Sequence, residues 1–144
     1  MNLNFKLTDN FTLSEFLISD FFDQRIQPKV LKEFKDNIDL HFNIQKLAIQ
    51  LQVLREELKC PININISYRP VFWEHLQKRS GNSKHTLCMA ADIVAENFSP
   101  EEVADKIEEL INDNLMLEGG LGRYNTFTHY DIRGTKARWD DKNN

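Results

Sequence analysis

The most informative stretch of the sequence is SKHTLCMAADI, residues 83–93. It places His85 in a loop of small and polar residues, and it places Asp92 inside the apolar run 89–94, which predicts a short strand. An ionised carboxylate within an apolar run is costly unless it is paired or bound to a metal. His85 and Asp92 are therefore candidates for a buried polar site.

A second histidine and a second aspartate lie in a later segment that alternates like a strand. The segment TFTHYDI, residues 126–132, contains His129 and Asp131 two positions apart, so both side chains point to the same face. Two imidazoles and one carboxylate, with a fourth position left for water, form the ligand set of a hydrolytic zinc site. The spacing alone leaves another interpretation open, in which the histidines are ordinary hydrogen-bonded residues and Asp92 caps the end of a strand.

The pattern of apolar residues predicts helices early in the chain and strands later. A capping box of Thr12 and Glu15 predicts a short helix, and helical spacing over 28–58 predicts a long helix with a break between Asp36 and Asn43. Strands are predicted around 62–67, 89–94, 126–132 and 137–139, a helix is predicted after Ser99, and the glycines at 119, 120 and 122 are interpreted as an interruption where backbones approach closely. This order favours an α+β fold with a small antiparallel sheet and the N-terminal helices packed on one of its faces.

Length and composition limit the class of protein. The chain has 144 residues, 41% of them apolar and 28% charged, which fits a single globular domain over residues 1–144. The net charge of −4 argues against a general affinity for nucleic acid, and the two cysteines exclude a disulfide-dense fold. The sequence shows neither a signal peptide nor an apolar run of about 20 residues. We therefore expect a monomer without a membrane span and without a nucleic-acid partner.

Three motifs, in their order along the chain, resemble one family of enzymes. SYR at 67–69 is followed by S-x-H-x-x-x-x-A-x-D-I over 83–93, then by GGLGRY at 119–124 and H-x-D-x-R-G at 129–134. The sequence resembles the zinc D-Ala-D-Ala carboxypeptidase and L-Ala-D-Glu endopeptidase family of peptidoglycan peptidases, which share the hedgehog-like fold. It is most similar to a small bacterial and phage branch that ends in the H-x-D-x-R-G strand.

The resemblance implies a zinc peptidase that hydrolyses peptide bonds in the stem peptides of bacterial peptidoglycan. It implies that one Zn²⁺ ion is held by His85, Asp92 and His129. It also implies that Arg69 faces a substrate carboxylate or the developing oxyanion. Ser83 is a candidate for substrate binding through a hydrogen bond near the site, and the alternative is an ordinary turn residue. Without a signal peptide, we expect a cytoplasmic protein, or a phage-encoded one that reaches the cell wall at lysis or infection.

Two positions depart from the pattern of this family. Cys88 stands where the family carries glycine, so its backbone is strained if that position needs a positive φ. Thr126 stands three residues before the last histidine, where many members have Glu or Asp as the general base. Asp131 is then the first candidate to orient a ligand or to take a proton, and Glu118 is the second.

These departures leave two alternatives to an active peptidase. One is a non-catalytic member that binds zinc together with peptidoglycan or a protein partner, for example as a phage structural module. The other is a metal-free structural domain.

The segment 68–83, YRPVFWEHLQKRSGNS, is rich in aromatic and charged residues. Phe72, Trp73 and His75 either line a substrate cleft or belong to a helix that covers the core. The sequence does not decide between these two arrangements.

Overall fold

The order of the elements separates an N-terminal helical part from a later part that contains the sheet. The structure is a computed structural model that describes residues 1–142, and residues 143–144 of the predicted domain lie outside the described part. The helices are α1 (Leu13–Leu17), α2 (Gln27–Lys35), α3 (Ile38–Leu58), α4 (Val71–Leu76) and α5 (Pro100–Asn112), with a 3₁₀ helix over Lys84–Leu87. The strands are β1 (Ile62–Ile66), β2 (Ala90–Ala95), β3 (Gly120–Arg123), β4 (Thr128–Asp131) and β5 (Ala137–Asp140). The predicted α+β class is confirmed.

The five strands form one mixed sheet in the order β1-β2-β4-β3-β5. β1 with β2, β2 with β4, and β4 with β3 are antiparallel as predicted, but β5 pairs parallel to β3. The prediction of an entirely antiparallel sheet is therefore wrong for β5. After β4 the chain turns at Gly134, where φ is +86°, and β5 runs in the direction opposite to β4. In the sheet β3 lies between β4 and β5, so the partner of β5 is β3.

The local signals that begin the helices are in place. The backbone N–H of Thr12 donates to the Glu15 carboxylate at 2.6 Å, which completes the predicted capping box of α1. The predicted break in the long helix lies between α2 and α3, where the Asn37 side chain accepts a hydrogen bond from the backbone N–H of Asp39. Ser99 is the N-cap of α5, as predicted. Within residues 1–142, no helix combines the length and the apolar character that a membrane span requires.

One face of the sheet is apolar and packs against helices. Ala91, Ile93, Leu121 and Tyr130 from β2, β3 and β4 are buried in the core. α5 packs against these three strands, α3 contacts α5, and α1 contacts β1. Because side chains alternate along a strand, Asp92 and His129 lie on the opposite face of the sheet. α5 thus covers one side of the sheet, and the other side carries the polar residues.

β3 is a strand where the sequence predicts an interruption, because glycine normally weakens a strand. Here the two glycines of β3 provide space: a Cβ on Gly120 would overlap the Asp131 carboxylate, and a Cβ on Gly122 would overlap the Trp139 ring. The predicted close approach of backbones is confirmed at Gly119, just before the strand, where a Cβ would overlap the carbonyl oxygen of Asp131. Inside β3 the glycines make room for side chains instead.

Cys88 has φ of +57° and ψ of +29°, the left-handed conformation that favours glycine. The residue ends the 3₁₀ helix that precedes β2, so the turn there carries the chain from His85 into the sheet. Its side chain is fully buried, and burial raises the pKa of its thiol. The positive φ on which the expected strain depends is therefore present at this family's glycine position.

The substitutions Cys88→Gly and Cys88→Ala separate this strain from the packing of the thiol, because both remove the sulfur and they differ only in the Cβ. We expect the glycine variant to have the larger free energy of unfolding, by about 1 kcal/mol, since an L-residue is disfavoured in this conformation. Urea denaturation followed by circular dichroism measures the difference. An alanine variant as stable as the glycine variant would contradict the strain.

Candidate metal centre

His85, Asp92 and His129 meet because of the way β2 and β4 pair. Asp92 and His129 stand directly opposite each other in the antiparallel ladder between these strands. The 3₁₀ helix that precedes β2 carries His85 beside them, and the two imidazole centroids are 5.1 Å apart. One ligand atom from each of the three residues lies within 4.8 Å of the other two. The structure thus brings together the residues that are predicted to hold the metal.

The separations of the ligand atoms suit a tetrahedral zinc ion. Asp92 Oδ1 lies 3.4 Å from His85 Nε2 and 3.0 Å from His129 Nδ1. With metal–ligand bonds of about 2.0 Å, two ligands of a tetrahedral ion are about 3.3 Å apart. All three residues are at most 9% exposed, and they line one cleft. The donor set therefore fits zinc with three protein ligands.

A further partner fixes the orientation of each histidine ring. His85 Nδ1 lies 2.8 Å from the carbonyl oxygen of Ser67, which can only accept, so the lone pair of Nε2 faces Asp92. His129 Nε2 lies 2.7 Å from Asp131 Oδ2, so Nδ1 faces the site. Metal-binding histidines commonly donate their other ring N–H to a carbonyl or a carboxylate in this way.

Asp131 is fully buried, and its carboxylate contacts several donors. The backbone N–H of Gly120 donates to Oδ1 at 2.9 Å, and Arg133 donates through Nε to Oδ1 at 2.9 Å and through Nη2 to Oδ2 at 2.8 Å. Burial would raise the pKa of Asp131, but the hydrogen bonds from His129 and Arg133 hold it well below the usual range. Asp131 is thus an ionised group that orients His129, and it is absent from the residues that line the cleft.

The charges within the cluster favour a cation between the carboxylates. Burial would raise the pKa of Asp92, but hydrogen bonds from His129 and His85 hold it below its usual range. Burial lowers the pKa of His85, which keeps that imidazole neutral, as a metal ligand must be. Burial also opposes a charge on His129, yet the hydrogen bonds to Asp131 and Asp92 raise its pKa. A divalent cation bound at His129 Nδ1 can replace the proton on that nitrogen and supply the positive charge that the carboxylates of Asp92 and Asp131 favour.

Arg69 lies beside the cluster and is held by a buried carboxylate, Glu74. Arg69 Nε is 2.9 Å from Glu74 Oε2, an ion pair rather than an aligned hydrogen bond, and the Arg69 backbone N–H donates to the carbonyl of His85 at 3.1 Å. Glu74 is 1% exposed and accepts a 2.6 Å hydrogen bond from the Ser83 hydroxyl. The predicted Ser83 does line the cleft, but its proton is engaged by Glu74.

Glu74 is the residue that the sequence analysis missed. Its signal was the same as that of Asp92, an acidic residue among apolar neighbours, since it follows Val71, Phe72 and Trp73 on α4. A buried carboxylate at such a place needs a cationic or donor partner. Here the partners are Arg69 and Ser83, so Glu74 connects α4 with two predicted site residues.

The cleft above the cluster has a volume of about 870 Å³. Its lining includes residues from segment 69–84 and, later in the chain, Tyr124, Phe127, Arg133 and Trp139. Trp139 lies 4.9 Å from His129, centroid to centroid, and its indole N–H donates to the Tyr124 hydroxyl at 2.8 Å. Trp73 both lines the cleft and packs against Phe22, so the two arrangements predicted for it are combined, whereas Phe72 packs against the core and His75 is exposed.

The structure does not bring Glu118 or Thr126 to the cleft. Glu118 Oε2 pairs with Arg138 Nη2 at 2.8 Å, and that hydrogen bond lowers the pKa of Glu118. Thr126 is exposed, and neither residue lines the cleft. Among residues 1–142, Asp92 is the single carboxylate in the lining.

A comparison with protein-family models matches residues 19–131 to the family described as Peptidase M15. The match covers most of the chain and includes His85, Asp92 and His129, so the chain belongs to this family of zinc peptidases. Searches of curated proteins and of solved structures return no match.

The contact between Asp131 and His129 predicts how the site responds to Asp131→Asn. An amide is a weaker acceptor for the imidazole N–H, so we expect the affinity for zinc to fall by about 10- to 100-fold. Competition with a chromophoric chelator measures the affinity, and circular dichroism checks the fold.

The matched control is Asp105→Asn, which removes the same charge from an exposed residue paired with Arg123. Equal zinc affinities in the two variants would contradict the orienting role of Asp131.

Proposed function

We propose that this member of the peptidase M15 family is a zinc metallopeptidase that hydrolyses peptide bonds in the stem peptides of bacterial peptidoglycan. The observation that carries the proposal is the convergence of His85, Asp92 and His129 at the floor of one cleft. Two imidazoles and one carboxylate form the donor set of hydrolytic zinc sites.

Different residues of this chain have different roles around the site. The chemistry that a bound zinc supplies is polarisation of the scissile carbonyl and a fall in the pKa of water to about 7. Asp131 and the carbonyl of Ser67 hold the two imidazoles in the orientation that presents a lone pair to the metal. His85, Asp92 and His129 are at most 9% exposed, and this burial strengthens the electrostatic interactions there.

Arg69 is proposed to take negative charge, either a carboxylate of the substrate or the charge that develops on the scissile carbonyl oxygen. A guanidinium can hold a carboxylate by two hydrogen bonds, and Glu74 keeps this guanidinium in place through Nε. Ser83 supports Arg69 indirectly, because it donates to the same Glu74 oxygen that Arg69 contacts.

The choice of stem peptides rests on the resemblance to D-Ala-D-Ala carboxypeptidases and L-Ala-D-Glu endopeptidases. This resemblance implies that the bond that is cut involves a D-amino acid. Peptidoglycan lies outside the cytoplasm, so such an activity acts outside that compartment.

A second function is favoured by one observation. Within residues 1–142, the cleft lining contains no carboxylate besides Asp92 that could accept a proton from water. A non-catalytic member that binds zinc and peptidoglycan, or a protein partner, needs no such base.

Incubation of the full-length, zinc-loaded protein with synthetic stem peptides and with purified peptidoglycan distinguishes the two functions. A peptidase releases new amino groups, and we expect His85→Ala and Arg69→Gln each to lower kcat/KM by about 100-fold or more. The control is His41→Asn, a histidine on α3 whose Nε2 contacts the carbonyl of Phe34.

Turnover that disappears in His85→Ala but persists in His41→Asn supports the peptidase. Binding of the same peptides without turnover supports the non-catalytic function, and the absence of both would reject the peptidase and the binding of peptidoglycan.

A further inference from the structure

The cleft carries a charge opposite to that of the whole chain. The chain has 22 acidic and 18 basic residues and a net charge of −4. In contrast, the cleft lining contains four permanent cations, Arg69, Arg79, Lys84 and Arg133, and within residues 1–142 the only carboxylate in it is Asp92. Positive charges that are close together repel one another unless an anion binds between them. The lining is therefore suited to an anionic ligand.

Two of these four cations already have a carboxylate partner. Arg133 pairs with Asp131 at 2.8 Å, and Arg69 pairs with Glu74 at 2.9 Å. The other two, Arg79 and Lys84, form no side-chain ion pair or hydrogen bond with any residue in the described range 1–142. Their charges are thus available to a ligand.

Arg79 and Lys84 line the same cleft as Arg69. Both lie in the segment that leads from α4 to His85, and Lys84 directly precedes that histidine. Burial lowers the pKa of Arg69, and the positive charge of Arg79 adds to this effect, so the two guanidinium groups are close enough to repel each other. All three cations line the same cleft as His85.

We infer that the cleft recognises a peptide with two carboxylates, one bound by Arg69 and the other by Arg79 and Lys84. The inference rests on the proposed function, because the ligand is taken to be the substrate peptide. The anions of a peptide are carboxylates, and a cleft of about 870 Å³ has room for several of its residues. Arg79 and Lys84 then act as specificity residues for an acidic substrate.

The test uses two synthetic peptides of one sequence, L-Ala-γ-D-Glu-L-Lys-D-Ala-D-Ala with the lysine side chain acetylated. In one peptide the α-carboxylate of D-Glu is free, and in the other it is an amide. For the wild-type protein we expect kcat/KM to be about tenfold higher for the free carboxylate, as one hydrogen bond between charged groups provides. In the double variant Arg79→Gln/Lys84→Gln we expect this preference to disappear.

The control is Lys29→Gln/Lys46→Gln, which removes the same charge from two exposed residues outside the cleft lining and is expected to keep the preference. Equal kcat/KM for both peptides in the wild-type protein, or an unchanged preference in Arg79→Gln/Lys84→Gln, would overturn the inference and leave the proposed function in place.

If neither peptide is cleaved, the proposed peptidase fails, and binding still tests the inference. Calorimetric titration of the zinc-loaded protein with the same two peptides then gives the dissociation constants. A tenfold lower Kd for the free carboxylate supports the second anion site, and equal Kd values overturn it.

Discussion

The contacts of His129 with two buried carboxylates are the constraint on which the rest of the site depends. Asp92 lies at one nitrogen of the ring, 3.0 Å away, and Asp131 lies at the other, 2.7 Å away. A buried imidazole between two carboxylates is stable only when the carboxylates are ionised, when each accepts hydrogen bonds from nearby donors, and when a positive charge lies between them. The register that places Asp92 opposite His129 is therefore fixed by chemistry as well as by the apolar face of the sheet.

This constraint explains features of the sequence that are otherwise unrelated. Asp131 needs a donor at each oxygen, and Arg133 together with the backbone of Gly120 provides them. Because the carboxylate fills the space above β3, that strand needs glycine at position 120, and the Trp139 ring imposes the same need on Gly122. The residues of the H-x-D-x-R-G motif and the preceding glycines thus pack together, and this packing holds the His129 imidazole in place. On the other side of the cluster, Glu74 performs a similar task for Arg69.

The sequence was sufficient where a local pattern reports directly on structure. The capping box of Thr12 and Glu15, the break between α2 and α3 and the three residues of the metal cluster were all predicted from spacing or resemblance, and the structure contains them. The parallel pairing of β5 with β3 could not be predicted, because it depends on the order of the strands in the sheet, where β3 lies between β4 and β5. The strand β3 was missed because the reason for its glycines lies in side chains from distant parts of the chain. Glu74 was missed for the same kind of reason, since its partners are fixed by tertiary packing.

The central claim is that three side chains on β2, β4 and the 3₁₀ helix bind one zinc ion, and X-ray absorption at the zinc edge of the loaded, full-length protein tests it most directly. We expect one equivalent of zinc with nitrogen and oxygen neighbours at about 2.0 Å, and outer-shell scattering from two imidazoles. Failure to retain zinc, a sulfur neighbour at about 2.3 Å, or a spectrum that is the same in His85→Ala would contradict the account.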